Sequence, residues 1–340
     1  MAENSRKRPR SRKSRKAPGA EALHAGWLRW VVPVLLVGGL IVAALHWGDL
    51  KAFGKLLASM QPLWLLGALA LQVLTYAALS AEWAMVLGAG RKRAPIGKLF
   101  MLTITKLFAD QVVPTAGLSG NMVVVHQLTK IAGKREVAVA AVILEIVAYY
   151  ISYAVAALAA LVMIWFDGAI SGFIVAIVSA FLCLAVAIPA GTLWLQRKGP
   201  SAAPKWLRRF DTAEDGLELI GSAPKGLVRD PVLIAKLSAL NGTVFVLDAL
   251  TLLLCLFGLG VHAGFDAAYV PLILASIVVT LGPIPMGLGS FEATCIGMLR
   301  VMGVPFEAAL SATLLYRGFA LWLPLVLGMI FARRALKGET

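Results

Sequence analysis

The sequence predicts an all-α polytopic membrane protein with six full spans and two oppositely oriented re-entrant helical hairpins, and three observations lead there. Apolar residues make up 59% of the 340 and charged residues only 15%. With a mean hydropathy of +0.82, the chain carries more apolar surface than a soluble domain of its size can hide. Apolar runs of spanning length recur almost from end to end. Two of them break at glycine and proline clusters, VVPTAGLSG at 112–120 and GPIPMGLG at 282–289, and paired broken helices in a bilayer point to a lipid or solute pathway.

Net charge is +14, which alone would suit a nucleic-acid ligand. In a membrane protein, basic clusters on one side have a simpler cause, the retention of Lys and Arg in the cytoplasm, so no specific nucleic-acid partner is expected. The first element, residues 1–24, opens on MAENSRKRPRSRKSRKAPGA. It has no apolar periodicity and reads as a basic, disordered cytoplasmic tail lying against anionic lipid. The apolar run behind it is long and ends in no small-residue cleavage pattern, unlike a secretory signal.

Residues 25–335 read as one integral membrane domain. Full spans fall at 30–46, 62–87, 137–165, 170–195, 232–259 and 307–331, long enough to cross with some tilt. The two broken segments, 99–130 and 268–300, are assigned by their flanks. Arg91, Lys92, Arg93 and Lys98 precede the first, while Lys130, Lys134 and Arg135 follow it, so both its ends favour the cytoplasm and it is expected to dip and return. The second follows the lightly charged loop GLGVHAGFDAAY, and the last span must deliver Arg333, Arg334 and Lys337 inward. It therefore dips from outside. Both termini, including the tail 336–340, fall in the cytoplasm of a bacterial inner-membrane protein. Eight simple spans remain a rival count, at the expense of exporting one basic cluster.

The placement of the breaks suggests an inverted repeat, with repeat one at 62–165, a cytoplasmic connector at 196–231 and repeat two at 232–331. The connector is too charged to cross and too short for a globular domain. Its WLRRF and LELI pieces suit a short interfacial helix or an ordered loop.

Irregular backbone inside the hydrocarbon must face protein or a watered cavity. Each break also exposes the amino end of a half-helix, where free N–H groups and the dipole favour phosphate or carboxylate. Pro114, Gly117 and Gly120 would shape the first site, and Pro283, Pro285, Gly287 and Gly289 the second, unless the breaks are packing kinks. Lys106 and Asp110, four residues apart, share a helix face. They form either an internal ion pair or an anion contact with its counter-charge. Glu292 sits in the first turn after the second break and is the best partner for Arg317, which has no acid near it in sequence. That pair either pins the last span to the hairpin or offers the guanidinium fork to a lipid phosphate. Glu145 and Asp248 lie at corresponding depths in the two candidate repeats and should point inward, as helix-to-helix contacts or as charge relays. Tyr316 and other tyrosines supply hydroxyls nearby. Glu82 is expected near the cytoplasmic headgroups with no special function.

Enzyme signatures are scarce. Cys183, Cys255 and Cys295 lie singly in apolar segments, the four histidines are dispersed, and HExxH, GxSxG and GxxxxGKS/T do not occur. No catalytic residue, metal or cofactor is assigned. A membrane enzyme using Glu and Arg on a lipid phosphate stays open.

At the second break the run PMGLGSFE (285–292), followed by GVPFEAALSATLLYRGFALWLPLVLG (303–328), closely resembles the transmembrane region of lysylphosphatidylglycerol synthases and their standalone relatives. The residues carrying the resemblance are Pro285, Gly287, Gly289, Glu292, Arg317, Trp322 and Pro324. In the first break Pro114, Gly117 and Gly120 match, whereas Asn121 and Val124 stand where an acid and a base are usual, and Met286 replaces a turn glycine. Glu145 matches a position that is often acidic. The resemblance covers about 25–335 and implies a flippase-like membrane domain. In bifunctional relatives this region is thought to flip aminoacylated phosphatidylglycerol made by a separate soluble domain. Here the chain ends nine residues after Phe331, so the resemblance is to a translocase without synthase activity.

The expected function is therefore translocation of an anionic or phosphate-bearing lipid headgroup. Arg317 and Lys106 would contact phosphate, while Glu292, Asp110, Glu145 and Asp248 balance charge. The partners implied are an anionic phospholipid or a polyprenyl-phosphate-linked lipid, with a homodimer and a lipid-modifying enzyme also open. A small-solute secondary transporter and an accessory protein to a lipid-modifying or glycosyl-transfer enzyme are the alternatives.

Overall fold

The computed structural model describes residues 60–112, 118–168, 171–199, 223–282 and 284–336. The basic tail, the expected span at 30–46, Pro114, Gly117, Pro283, the WLRRF and LELI pieces and residues 337–340 lie outside the described residues.

The chain is an all-α, multi-pass membrane protein. Five helices among the described residues are long and apolar enough to cross a membrane: Pro62–Ala89, Arg135–Phe166, Gly172–Lys198, Pro231–Gly258 and Phe306–Phe331. Large apolar side chains stand open along them, including Leu63, Leu66, Val155, Phe166, Phe173 and Val186. An aqueous surface would not tolerate this, whereas lipid solvates it. These helices agree with five of the six predicted spans to within about three residues.

In chain order the elements are α1 (Pro62–Ala89), α2 (Ile96–Val112), α3 (Leu118–Ala132), α4 (Arg135–Phe166), α5 (Gly172–Lys198), the single turn α6 (Lys225–Val228) and α7 (Pro231–Gly258). After them come α8 (Asp266–Leu281), a 3₁₀ turn at Pro285–Gly287, α9 (Ser290–Val301), α10 (Phe306–Arg317), a π turn at Gly318–Trp322 and α11 (Leu323–Leu336). Proline starts α1 and α7 at positions whose N–H needs no intrahelical partner. Asp230 also caps α7, accepting from the amides of Val232 at 3.0 Å and Leu233 at 3.2 Å.

Both predicted breaks are flanked by helix pairs: α2 packs on α3, and α8 on α9. The pairs serve different halves of the same long helices. The α2–α3 pair buries Leu99, Leu102, Val124 and Leu128 against the C-terminal end of α1 and the N-terminal halves of α4 and α7. The α8–α9 pair buries Ile273, Phe291, Cys295 and Leu299 against the C-terminal halves of α4 and α7. Helix α1 crosses α7 along the most extensive interface; reciprocally, α2 meets α11 and α8 meets α4.

The last span changes pitch at its centre. In the π turn the Leu323 amide bonds to the carbonyl of Gly318, which would leave Phe319 to pair with the nitrogen of Pro324. Proline has no hydrogen to give. The Tyr76 hydroxyl on α1 donates to that Phe319 carbonyl at 2.7 Å, so a defect costly in hydrocarbon becomes an interhelical tie.

Candidate polar cavity and ion pairs

A cavity of about 290 Å³ lies between the two cores, lined from α1, α2, α4, α7, α8 and the last span. Helical periodicity builds it. Gln72, Thr75, Tyr76, Leu79, Glu82 and Trp83 all line it from α1, and Asn241, Val244, Phe245 and Asp248 line it from α7. Spacings of three, four and seven put each set on one helix face.

Lys106 on α2 reaches the cavity, and its Nζ lies 3.1 Å from Asp110 Oδ2 and 3.3 Å from Glu145 Oε1 on α4. The cation thus ties the first helix pair to a long helix. Asp110 does a second job. Its Oδ1 accepts the Gly120 amide at 3.0 Å, in the first turn of α3, where a carboxylate also complements the helix dipole. A Cβ on Gly120 would run into the Asp110 carboxylate, so this approach needs glycine. Asn121 follows, and its Oδ1 is buried without a hydrogen-bond partner.

The second break is closed in a parallel way. Met286, Gly287 and Gly289 turn the chain through left-handed φ values of 58°, 63° and 85°. At Gly287 a Cβ would also meet the Val279 side chain. Pro285 opens this turn. Glu292 Oε2 accepts the Gly289 amide at 2.7 Å, and Glu292 Oε1 accepts Arg317 Nε at 2.7 Å. The guanidinium donates again to the Met286 carbonyl at 2.8 Å and lies over the Phe291 ring, 4.9 Å from its centre. Phe291 in turn stacks on Tyr316 at 5.8 Å between ring centres.

The contacts bear on alternatives that the sequence leaves open. The amino ends of α3 and α9 are each met by an internal carboxylate, Asp110 and Glu292, so a phosphate there must displace one. Arg317 does not line the cavity; its fork is engaged by Glu292 and the Met286 carbonyl, the arrangement that pins the last span to the broken segment. Asp248 does line the cavity, with Thr75 Oγ1 donating to its Oδ1 at 3.4 Å, as do Glu145 and Tyr316.

Glu82 was expected among headgroups, yet it is 2% exposed and faces the cavity. Its Oε1 has no hydrogen-bond partner, nor has Gln72 Oε1 or Trp83 Nε1 beside the same space. The signal that would have found this group is the polar stripe Gln72, Thr75, Glu82 on α1, repeated at Asn241 and Asp248 on α7. Among the described residues, no group of three or more His, Cys, Asp or Glu side chains is arranged to hold a metal.

Residues 30–328 match the sequence family described as the lysylphosphatidylglycerol synthase TM region. A UPF0104 membrane protein of Methanothermobacter thermautotrophicus is 31% identical over 129 residues, which is 36% of this chain and 38% of the relative. That match spans well under half of the relative's length.

Proposed function

The chain belongs to the lysylphosphatidylglycerol synthase transmembrane-region family, and from that membership and the polar cavity we propose that it moves a phosphate-bearing lipid headgroup between leaflets. The observation that carries the reading is the cavity itself. It is a space of about 290 Å³ among helices long enough to span a bilayer, with Lys, Glu, Asp, amide and hydroxyl groups set in an apolar wall, where a headgroup avoids the full cost of entering hydrocarbon. The acyl chains would stay in lipid.

Lys106 Nζ and Trp83 Nε1 are two donors at the cavity wall for a phosphate. Asp110 and Glu145 take two of the three ammonium hydrogens of Lys106, which leaves one for a phosphate oxygen, and displacing Asp110 frees a second. Released Asp110 still holds the Gly120 amide, so the exchange does not strand a carboxylate. Arg317 and Glu292 act in this scheme by fixing the last span against the second break, which keeps Tyr316 at the cavity wall. Asp248 and Glu145 balance the charge.

We assign the two helix pairs as re-entrant hairpins inserted from opposite faces, within an inverted repeat of 62–165 and 232–331. Their packing on opposite halves of α4 and α7, and the reciprocal α2–α11 and α8–α4 contacts, support this. The basic flanks support cytoplasmic termini in a bacterial inner membrane.

The test is lipid transfer in proteoliposomes carrying a trace of fluorescent phosphatidylglycerol, with outer-leaflet label bleached by dithionite. Wild type bleaches the whole pool, whereas Lys106→Met, folded by its elution profile, leaves about half protected, as in protein-free vesicles. Equal bleaching by the variant removes Lys106 from the pathway, and no transfer by wild type with phosphatidylglycerol or with a polyprenyl phosphate defeats the translocase reading.

A further inference from the structure

Acidic side chains outnumber basic ones in the cavity, the reverse of a simple phosphate site. Three carboxylates, Glu82, Glu145 and Asp248, line it from three different helices, against one cation, Lys106. That cation is already shared between Glu145 and Asp110, at 3.3 and 3.1 Å. Glu82 and Asp248 therefore have no basic partner among the described ion pairs.

The second observation adds a neutral side chain, Gln72, to the acids. Glu82 and Gln72 are both 2% exposed, both line the cavity, and each presents an Oε1 without a hydrogen-bond partner. Both are acceptors, and buried acceptors left empty are expensive. A positively charged ligand beside each acid satisfies an open acceptor and a carboxyl group at once. The oxygens fall into two sets. Asp248 lies with Thr75, and Gln72 is one turn away on the same face of α1; Glu82 faces the cavity from the other end of that face. The seven residues from Thr75 to Glu82 separate the sets by about 10 Å along the helix axis.

From this juxtaposition we infer that the cavity is a binding site for a monovalent cation, with Glu82 and Asp248 as its two stations. Carboxylate, amide and hydroxyl oxygens are hard ligands suited to an alkali ion, and the same oxygens accept the hydrogens of a primary ammonium. The chemistry is shared by a free ion and by an amine-bearing headgroup whose phosphate would sit at Lys106. The inference does not depend on lipid transfer.

The experiment uses the full-length chain purified in detergent, with its thermal midpoint followed in NaCl, KCl or methylammonium chloride balanced by N-methylglucamine chloride at constant ionic strength. A parallel arm uses nanodiscs of phosphatidylglycerol with and without phosphatidylethanolamine. A ligand that binds only the folded state raises the midpoint with the logarithm of its concentration. The expected result is such a rise for wild type in at least one arm, lost in the isosteric Glu82→Gln/Asp248→Asn double variant. Asn241→Asp, which adds a carboxylate to the same wall, should lower the half-saturating concentration about tenfold and carries the test if the double variant does not fold. A response to free salts identifies an ion, and one to phosphatidylethanolamine identifies the headgroup. No response in either arm, as for carboxylic acids that keep their own protons, overturns the inference, as does a response unchanged in the variants.

Discussion

Removing Arg317 isolates the role of the pair that closes the second break. The Arg317 and Glu292 side chains are 10% and 19% exposed, with Nε and Oε1 2.7 Å apart, and the guanidinium also bonds the Met286 carbonyl at 2.8 Å. Deleting one member of a buried pair costs about 3–5 kcal/mol, chiefly because the survivor is left uncompensated. In Arg317→Met the survivor is not abandoned. Glu292 keeps the Gly289 amide at 2.7 Å and the amino end of α9, a placement worth up to about 2 kcal/mol. The expected loss is therefore at the low end, about 3 kcal/mol. Glu292→Gln keeps one acceptor oxygen but removes the counter-charge of the guanidinium, and should cost a similar amount. Because both variants break the same contact, the double variant should also lose about 3 kcal/mol, far short of the roughly 6 kcal/mol expected from independent sites. Reversible unfolding in bicelles by steric trapping measures all three. Single losses below about 1 kcal/mol that simply add would show that Arg317 is not held by Glu292, and would return it to the pool of free phosphate ligands.

Other outcomes follow from individual contacts. Tyr76→Phe strands the Phe319 carbonyl, which the hydroxyl meets at 2.7 Å, and should cost about 2 kcal/mol in the same unfolding assay; no loss would mean that another donor takes its place. Gly287→Ala combines a φ of 63° with a Cβ against Val279, and a loss of about 2–4 kcal/mol is expected. Gly120→Ala should separate Asp110 from the α3 amide and lower stability by about 1–3 kcal/mol, with a change below 0.5 kcal/mol contradicting the close approach. In a cysteine-free background, single cysteines at Gly97 and Lys134 should both react with an impermeant maleimide from the cytoplasmic side only. Reaction from opposite sides would replace the first hairpin by a full crossing.

Much of the helical framework could be read from the residues alone. Uninterrupted apolar stretches bounded by Pro62, Pro231 or a basic cluster leave little choice in a bilayer, since every backbone polar group must bond within its own helix. The Arg317–Glu292 contact was also accessible, because an isolated guanidinium in an apolar span demands an acid, and few are at hand. Glu82 stands near the C-terminal end of α1, where position along the helix suggests headgroups, and only the face it shares with Gln72 and Thr75 directs it into the cavity. The Lys106–Glu145 contact depends on how α2 crosses α4, which local spacing does not encode, whereas Asp110, four residues from Lys106, was an obvious neighbour. The π turn lay hidden for a related reason: Pro324 announces a disturbed helix, but only the position of Tyr76 decides which carbonyl is repaired.

The central claim is that the cavity holding Lys106, Glu82 and Asp248 is where a lipid headgroup resides during transfer. Cryo-electron microscopy of the full chain in nanodiscs containing phosphatidylglycerol addresses it directly. Headgroup density within hydrogen-bond reach of Lys106 Nζ, continuous with acyl density leaving between helices, is the predicted result. A cavity sealed from lipid on every side, with the headgroups confined to the two membrane surfaces, would contradict it.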